Sequence, residues 1–179
     1  MKTNASDNIS DYPPIQGRMW RLGNNIDTDL IVPSHVLTAA DQNTLLQATL
    51  ESIFPNFTSE VRLGDIIVAG TNFGCGSSRE EAVFVLKELG IRAIIAESFA
   101  RIFFRNAINL GLPAIKMENS SILGQHLEII RVNLSKGTVK NLKSEKKFQF
   151  APFPSFLLQF IIKGGAIPQI KEKLDHSLK

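Results

Sequence analysis

The sequence predicts an α/β fold in which strands and helices alternate around a sheet. Two compact apolar runs, DIIVAG (65–70) and IRAIIAES (91–98), each precede a segment whose apolar residues have helical spacing. A glycine, Gly90 or Gly111, follows each of these predicted helices, and glycine closes a helix by adopting a left-handed conformation. The order strand, helix, strand, helix, strand is typical of a sheet with a parallel part.

The other elements follow in chain order. GRMWRLG (17–23) predicts the first strand, and the polar loop NNIDTD leads from it to the short apolar run LIVP. Residues 40–53 have apolar side chains near helical spacing, which predicts a helix. The rest of the chain predicts a short strand in LPAIKM, a hairpin that turns at Lys136-Gly137, a helix over 155–163 and a short helix after Pro168.

Length and composition favour one domain. The chain has 179 residues, of which 44% are hydrophobic and 21% charged, enough for one core but not comfortably for two. Residues 1–16 are polar and are predicted to form a flexible tail, so the single domain covers residues 17–179. The N-terminal stretch has no apolar core, which indicates neither a signal peptide nor a typical transit peptide.

Charge and cysteine content exclude several classes of function. The net charge of +3 is mild, and no nucleic-acid-binding module is recognisable. Lysines crowd residues 140–147, which is typical of a solvated face or an edge strand. The single cysteine, Cys75, allows no internal disulfide, which fits a reducing, cytoplasmic location, and it cannot supply the several thiolates of an iron–sulfur cluster.

The segment GTNFGCGSSREE (70–81) is the candidate site. It joins a predicted strand to a predicted helix that begins at Ser77 or Ser78, and Ser78 with Glu81 has the form of a capping box. Glycines let an anion approach the free N–H groups of a helix start, and the Arg79 guanidinium suits a carboxylate or phosphate. The segment is neither a Walker A loop nor G-x-G-x-x-G. An ordinary capped turn is the alternative, but it leaves Arg79 and the excess glycine unexplained.

Three segments resemble, in order and spacing, the motifs of the swivel domain, or small subunit, of the aconitase superfamily. They are NIDTDLIVP (25–33), NFGCGSSRE (72–80) and AESFARIFFRNAINLGLP (96–113). The resemblance implies the swivelling β/β/α fold, a mixed sheet with flanking helices, and one chain of a two-chain hydro-lyase. It also implies that a partner large subunit carries a [4Fe–4S] cluster, that this chain binds none, and that activity requires both chains.

The resemblance further implies the roles of four residues. Ser77 is expected to be the base that removes the proton α to a carboxylate, with its alkoxide stabilised by N–H groups of the helix start and by Arg79. Ser78 and Arg79 are expected to bind a substrate carboxylate. Asp29 is expected to position the charged groups around the site.

Nearby residues have ordinary structural interpretations. Asp27 and Thr28 are expected to shape their loop, and Cys75 to be a buried, inert thiol beside the site. Arg101 and Arg105 lie four residues apart on a predicted helix and are expected to form a solvated or subunit-facing stripe.

The resemblance also implies that the loop SHVLTA (34–39) reads the variable end of the substrate. Relatives that act on a substrate with a further carboxylate have arginine where this chain has Thr38, and threonine is a poor partner for a carboxylate. An apolar γ-substituent, such as the isopropyl group of isopropylmalate, is therefore favoured over homoaconitate or citrate, with Val36 as an apolar contact and His35 as a further candidate. This loop and Glu81 depart from the commoner pattern, which leaves room for dimethylmalate or citramalate.

A second hypothesis belongs to a different class of function. The chain could be a stand-alone carboxylate-binding or regulatory module that kept the loop without a catalytic partner. Such a module would bind a small dicarboxylate by itself, whereas the subunit of a two-chain enzyme would gain activity only with its partner.

Overall fold

The structure is a computed structural model that describes residues 12–38, 41–166 and 168. The strands in this part of the chain are β1 (Ile15–Arg21), β2 (Ile66–Ala69), β3 (Ala93–Ala96), β4 (Ala114–Lys116), β5 (Ile129–Asn133), β6 (Thr138–Asn141) and β7 (Lys147–Gln149). Its helices are α1 (Thr28–Ile31), α2 (Gln42–Gln47), α3 (Phe57–Glu60), α4 (Glu80–Glu88), α5 (Arg101–Asn109) and α6 (Ser155–Ile162). Single 3-10 turns lie at Ser34–Val36 and Ser120–Ile122.

The strands form one mixed sheet in the order β4-β3-β2-β1-β5-β6-β7. Strands β1 to β4 pair in parallel, whereas β5, β6 and β7 continue from β1 as an antiparallel meander. Strand β1 therefore separates the parallel half of the sheet from the antiparallel half. This arrangement confirms the predicted α/β class, the mixed sheet and the hairpin between β5 and β6.

A hydrophobic core covers each face of the parallel half. Along β2, Ile67 and Ala69 pack in the core that contains apolar residues of α4 and α5. The alternate residues, Ile66 and Val68, pack in a second core that contains residues of α6. Both faces of β2 are covered, which explains why its sequence is a continuous apolar run without polar alternation.

The predicted glycine ends of α4 and α5 are confirmed. Gly90 has φ +96°, its N–H donates to the carbonyl of Lys87 (3.0 Å), and the N–H of Ile91 donates to that of Leu86 (3.0 Å). This pair of bonds is a Schellman motif. The same pattern ends α5 at Gly111, which has φ +74°.

Several element boundaries differ from the prediction. Strand β1 begins at Ile15, inside the predicted tail. Residues 1–11 of that tail lie outside the described part of the chain, and so does the predicted helix after Pro168. The helix predicted over 40–53 is only α2, because the chain turns at the fully buried Leu50. Leu50 has φ +54°, and its N–H donates to the carbonyl of Ile31 at 3.0 Å. The lysine-rich segment 140–147 runs from the end of β6 to the first residue of β7, which is an edge strand.

Within the described residues, no helix combines the length and the apolar character needed to cross a lipid bilayer.

Candidate functional site

The candidate loop, residues 70–79, leaves the carboxyl end of β2 and leads into α4. Backbone hydrogen bonds hold it on both sides. The N–H of Thr28, beyond β1, donates to the carbonyl of Cys75 (2.9 Å), and the N–H of Phe73 donates to the carbonyl of Ser98, beyond β3 (2.9 Å). The loop thus lies at the carboxyl edge of three parallel strands, where ligands of open α/β sheets bind.

Two glycines allow this loop to pack closely against the protein's own groups. Gly74 has φ +76°, and a Cβ there would lie 2.2 Å from the ring of Phe103 on α5. Gly76 has φ +86°, and a Cβ there would lie 2.4 Å from the carboxylate oxygens of Asp27. Close packing of the loop against Phe103 and Asp27 therefore requires both glycines, which the sequence interpretation had assigned to the approach of an anion.

The start of α4 differs from the sequence prediction. The N-cap is Arg79, whose backbone is extended (φ −121°, ψ 114°) and whose side chain makes no capping bond. The predicted caps at Ser77 and Ser78, and the capping box of Ser78 with Glu81, are therefore wrong. Both serines are exposed, and their hydroxyls have no hydrogen-bond partner among the described residues.

Asp29 and Arg79 meet across the loop as an ion pair. Arg79 Nη1 donates to Asp29 Oδ1 (2.6 Å) and to the carbonyl of Val32 (3.0 Å). The hydrogen bond from Arg79, followed by those from Ser34, holds the pKa of the Asp29 carboxyl below its usual range. Asp27 caps α1 by accepting from the N–H of Asp29 (2.8 Å), so its predicted role as a loop-shaping residue is confirmed.

A cavity of about 200 Å³ brings the predicted loop residues together. Its wall consists of Thr28, Gly74, Gly76, Ser77, Ser78, Arg79, Ala100, Arg101, Ile102 and Phe103. Thr28 is buried, and its hydroxyl donates to the carbonyl of Ser77 (3.1 Å), which fixes the backbone at that serine. Asp29 reaches the cavity only through Arg79.

The sequence interpretation missed the wall that α5 forms. Arg101 was expected to lie on a solvated or subunit-facing stripe, yet it lines the cavity together with Ile102 and the two serines. The available signal was topological, because β2 and β3 are neighbours in the sheet and their carboxyl ends meet at one edge.

The candidates for substrate specificity lie outside this cavity wall. His35 and Thr38 are exposed, and the Thr38 hydroxyl donates to the carbonyl of His35 (3.4 Å). Val36 is only 8% exposed and packs in the core. Its burial argues against the predicted apolar contact with substrate, because little of its side chain is accessible.

Cys75 is half-buried beside the site. Burial, with a contribution from the charge of Asp27, raises the pKa of its thiol, so the thiol is protonated at neutral pH and is a poor nucleophile. This agrees with an inert role, although the side chain is less buried than predicted. No group of three or more potential metal ligands occurs among the described residues.

A larger cavity, of about 670 Å³, lies at the same edge of the sheet. Arg21, Glu97 and His126 are among the residues that line it. None of the predicted site residues lines this cavity, so the candidate site is the smaller one.

Comparison with known proteins identifies the family. A family model described as the aconitase C-terminal domain matches residues 38–120. A curated relative from Nautilia profundicola, named 3-isopropylmalate dehydratase small subunit, is 46% identical over 160 residues, which are 89% of this chain and 96% of the relative. The chain belongs to the aconitase C-terminal domain family.

Other members of the family support the same assignment. The methanogen homoaconitase small subunit of Methanothermobacter thermautotrophicus is 45% identical, over 90% of this chain and 93% of that protein. The crystal structure of 3-isopropylmalate dehydratase from Methanocaldococcus jannaschii matches with a TM-score of 0.84 at 38% identity, covering 92% of this chain and 98% of that one. The predicted aconitase-type fold is confirmed, and the names of these relatives agree with the predicted hydro-lyase class.

Proposed function

We propose that this chain is the cytoplasmic small subunit of a two-chain hydro-lyase of leucine biosynthesis. The enzyme isomerises 2-isopropylmalate to 3-isopropylmalate by dehydration and rehydration. The observation that carries the proposal is the shared cavity of Ser77, Ser78 and Arg79, with Asp29 bound to Arg79. Relatives that are named dehydratase small subunits, and that match this chain over nearly their full length, support it.

Ser77 is the proposed base. Its hydroxyl is exposed to the cavity and is not engaged in capping, so Oγ is available to take the proton from the carbon next to a substrate carboxylate. An ordinary serine hydroxyl is far too weak an acid for this role. Arg79 and the positive ends of the α4 and α5 dipoles provide electrostatic stabilisation of the alkoxide.

Arg79 is the proposed carboxylate ligand, together with Ser78. Its hydrogen bonds to Asp29 and Val32 use Nη1, while Nε and Nη2 make no hydrogen bond to the described residues. These two donors form an edge of the guanidinium that can bind a carboxylate in a bidentate manner. Asp29 thereby orients Arg79 towards the substrate without contacting the substrate itself.

The [4Fe–4S] cluster is assigned to the large subunit. This chain has one cysteine, and cluster ligation requires several. The cluster would supply an iron that binds the hydroxyl and a carboxylate of the substrate. The residues of this chain would bind the substrate, orient it and transfer its proton.

The choice of substrate rests on residue 38. Overall identity does not decide it, since a dehydratase relative and a homoaconitase relative are 46% and 45% identical to this chain. Thr38 has no charge with which to bind a further carboxylate, which favours the isopropyl group. Homoaconitate, dimethylmalate and citramalate are the alternatives within the same chemistry.

The proposal is tested by anaerobic co-purification with the candidate large subunit and by the absorbance of the alkene intermediate formed from isopropylmalate. We expect activity only with both chains. Ser77→Ala should lower kcat by about 10²- to 10⁴-fold, the usual contribution of an acid–base group. Ser144→Ala, an exposed serine far along the chain, should leave kcat unchanged.

Each other outcome has a definite meaning. Turnover of homoaconitate in preference to isopropylmalate would contradict the interpretation of Thr38 but not the mechanism. If no large subunit bound and the isolated chain bound a small dicarboxylate, the stand-alone regulatory module would replace the enzyme subunit.

A further inference from the structure

The first two turns of α5 expose apolar and basic side chains next to the candidate site. Ile102 is 49% exposed and Phe104 is 36% exposed, and Arg101 and Arg105 are exposed beside them. We call these four side chains the α5 patch. In an amphipathic helix on a surface that no partner covers, the apolar residues face the core, as Phe103 and Ala107 of α5 do.

The α5 patch adjoins the candidate site. Arg101 and Ile102 line the same cavity as Ser77 and Ser78. A macromolecule that closes this cavity over a bound substrate therefore also covers Ile102. Other large exposed apolar side chains, such as Leu63 and Phe156, do not line the cavity.

The patch is held in place by an aromatic cluster beneath it. The ring of Phe104 contacts that of Phe99 (centroids 5.9 Å apart), and Phe99 contacts Phe73 of the candidate loop (6.0 Å). Gly74 packs directly on the ring of Phe103. The patch and the loop are thus one packed unit, which gives a partner a preformed surface at little entropic cost.

The charge of the patch indicates the chemistry of the partner surface. Neither Arg101 nor Arg105 forms an ion pair with a described residue. An apolar centre flanked by arginines fits a partner with an apolar recess bordered by carboxylates, because charges across interfaces are complementary.

We propose that the α5 patch is the surface on which the cluster-bearing large subunit docks. This inference rests on the proposed function, in which Ser77 needs a partner to complete the site. The patch adjoins the cavity that Ser77, Ser78 and Arg79 line. Its exposed apolar residues, and its arginines without an ion pair to any described residue, suit a surface that a partner covers.

The experiment titrates the labelled small subunit with the cluster-bearing large subunit under anaerobic conditions and measures Kd. Ile102→Glu places a carboxylate in the centre of the patch, and we expect it to raise Kd by more than about tenfold, the size of an interface hot spot. Arg101→Glu should also raise Kd and should reverse the salt dependence of binding. Leu63→Glu is the matched control. Leu63 is 82% exposed and lies just before β2 begins, at the opposite edge of the sheet. The Kd of this variant should match that of wild type.

The outcomes separate this inference from the proposed function. If wild type bound and was active while Ile102→Glu and Arg101→Glu bound with wild-type Kd, the docking surface would be wrong and the function would stand. If all three variants weakened binding equally, the patch would have no special role. If wild type bound no large subunit, the function and the named partner would both be wrong. Near-ultraviolet circular dichroism checks that each variant is folded.

Discussion

At the scale of single residues, the ion pair of Asp29 and Arg79 holds the arginine of the candidate site in one position. Asp29 is half-exposed, with its side chain at 49% of full accessibility, whereas Arg79 is at 12%. An ion pair with so exposed a partner contributes little to stability. Under the proposed function its value lies in orientation, because it engages Nη1 and leaves Nε and Nη2 without a bond to the described residues.

Asp29→Asn should therefore change substrate binding more than stability. We expect kcat/KM to fall by about 10- to 100-fold, mostly through KM, because a displaced Arg79 no longer meets the carboxylate in the correct orientation. The melting temperature should remain close to that of wild type. Steady-state kinetics of the two-chain enzyme and a thermal melt provide the two measurements.

Asp41→Asn serves as the control for this variant. Asp41 is an exposed N-cap, at the start of α2, and asparagine caps a helix as well as aspartate does. An unchanged KM in Asp29→Asn would contradict the orienting role of Asp29. Asp29→Glu, which keeps the charge, should recover part of the lost activity.

At the scale of elements, the sequence predicted helix ends better than helix starts. Gly90 and Gly111 marked the ends of α4 and α5 correctly, because a left-handed residue is a local requirement that glycine meets. The start of α4 was predicted at Ser77 or Ser78, whereas its N-cap is Arg79. Hydrogen bonds from Thr28 to the carbonyls of Cys75 and Ser77 hold the loop in a non-helical path up to that residue. Such pairing joins residues that are distant in sequence, so no local pattern reveals it.

The candidate site was predictable to a similar degree. The loop residues Ser77, Ser78 and Arg79 were found from one contiguous motif and do share a cavity. The wall formed by α5 was not found from the sequence, because its position depends on which strands are neighbours in the sheet. The burial of Val36 was also missed, since one turn of 3-10 helix rotates it into the core.

Gly76→Ala tests whether the loop conformation requires glycine. The new Cβ would meet the Asp27 carboxylate at 2.4 Å, and the residue would have to keep φ +86°. We expect a loss of about 1–3 kcal/mol in the free energy of unfolding, the usual cost of a strained backbone position, together with loss of activity.

Gly23→Ala is the matched control, because a Cβ at Gly23 meets nothing within 4 Å. Urea denaturation of both variants gives the comparison. Equal stability of the two would show that the loop around Gly76 adapts and that its conformation is not strained by a side chain.

At the scale of the whole molecule, a buried carboxylate links the first strand to the second. Asp65 is 2% exposed and accepts hydrogen bonds from Arg18 Nη2 (2.6 Å), Trp20 Nε1 (2.8 Å) and the N–H of Arg62 (2.9 Å). Burial raises the pKa of Asp65, but these bonds outweigh it and hold the pKa below its usual range. The network fixes β1 against the start of β2, at the amino edge of the parallel half.

The low pKa of Asp65 predicts how global stability depends on pH. Because the pKa is lower in the folded state than in the unfolded one, the stabilisation is present above the unfolded value, about 3.9, and is lost as the pH falls through the folded value. Asp65→Asn should lower the free energy of unfolding by about 1–3 kcal/mol at pH 7. The difference from wild type should shrink in acid.

Urea denaturation at a series of pH values measures both quantities. Glu51→Gln, at an exposed position after α2, should retain the wild-type pH profile. A difference between wild type and Asp65→Asn that stayed constant from pH 7 to acid would show that ionisation of Asp65 does not contribute.

Because the Cys75 thiol is protonated, reagents that attack thiolates would damage the large subunit of an assembled enzyme before they damaged this chain. Alkylating agents and peroxide attack the thiolate, and burial beside the Asp27 carboxylate keeps this thiol protonated. The single cysteine of this chain is therefore a poor target for such reagents. Inactivation by oxygen or by a thiol reagent would then report on the large subunit, and fresh large subunit added to the treated small subunit would restore activity.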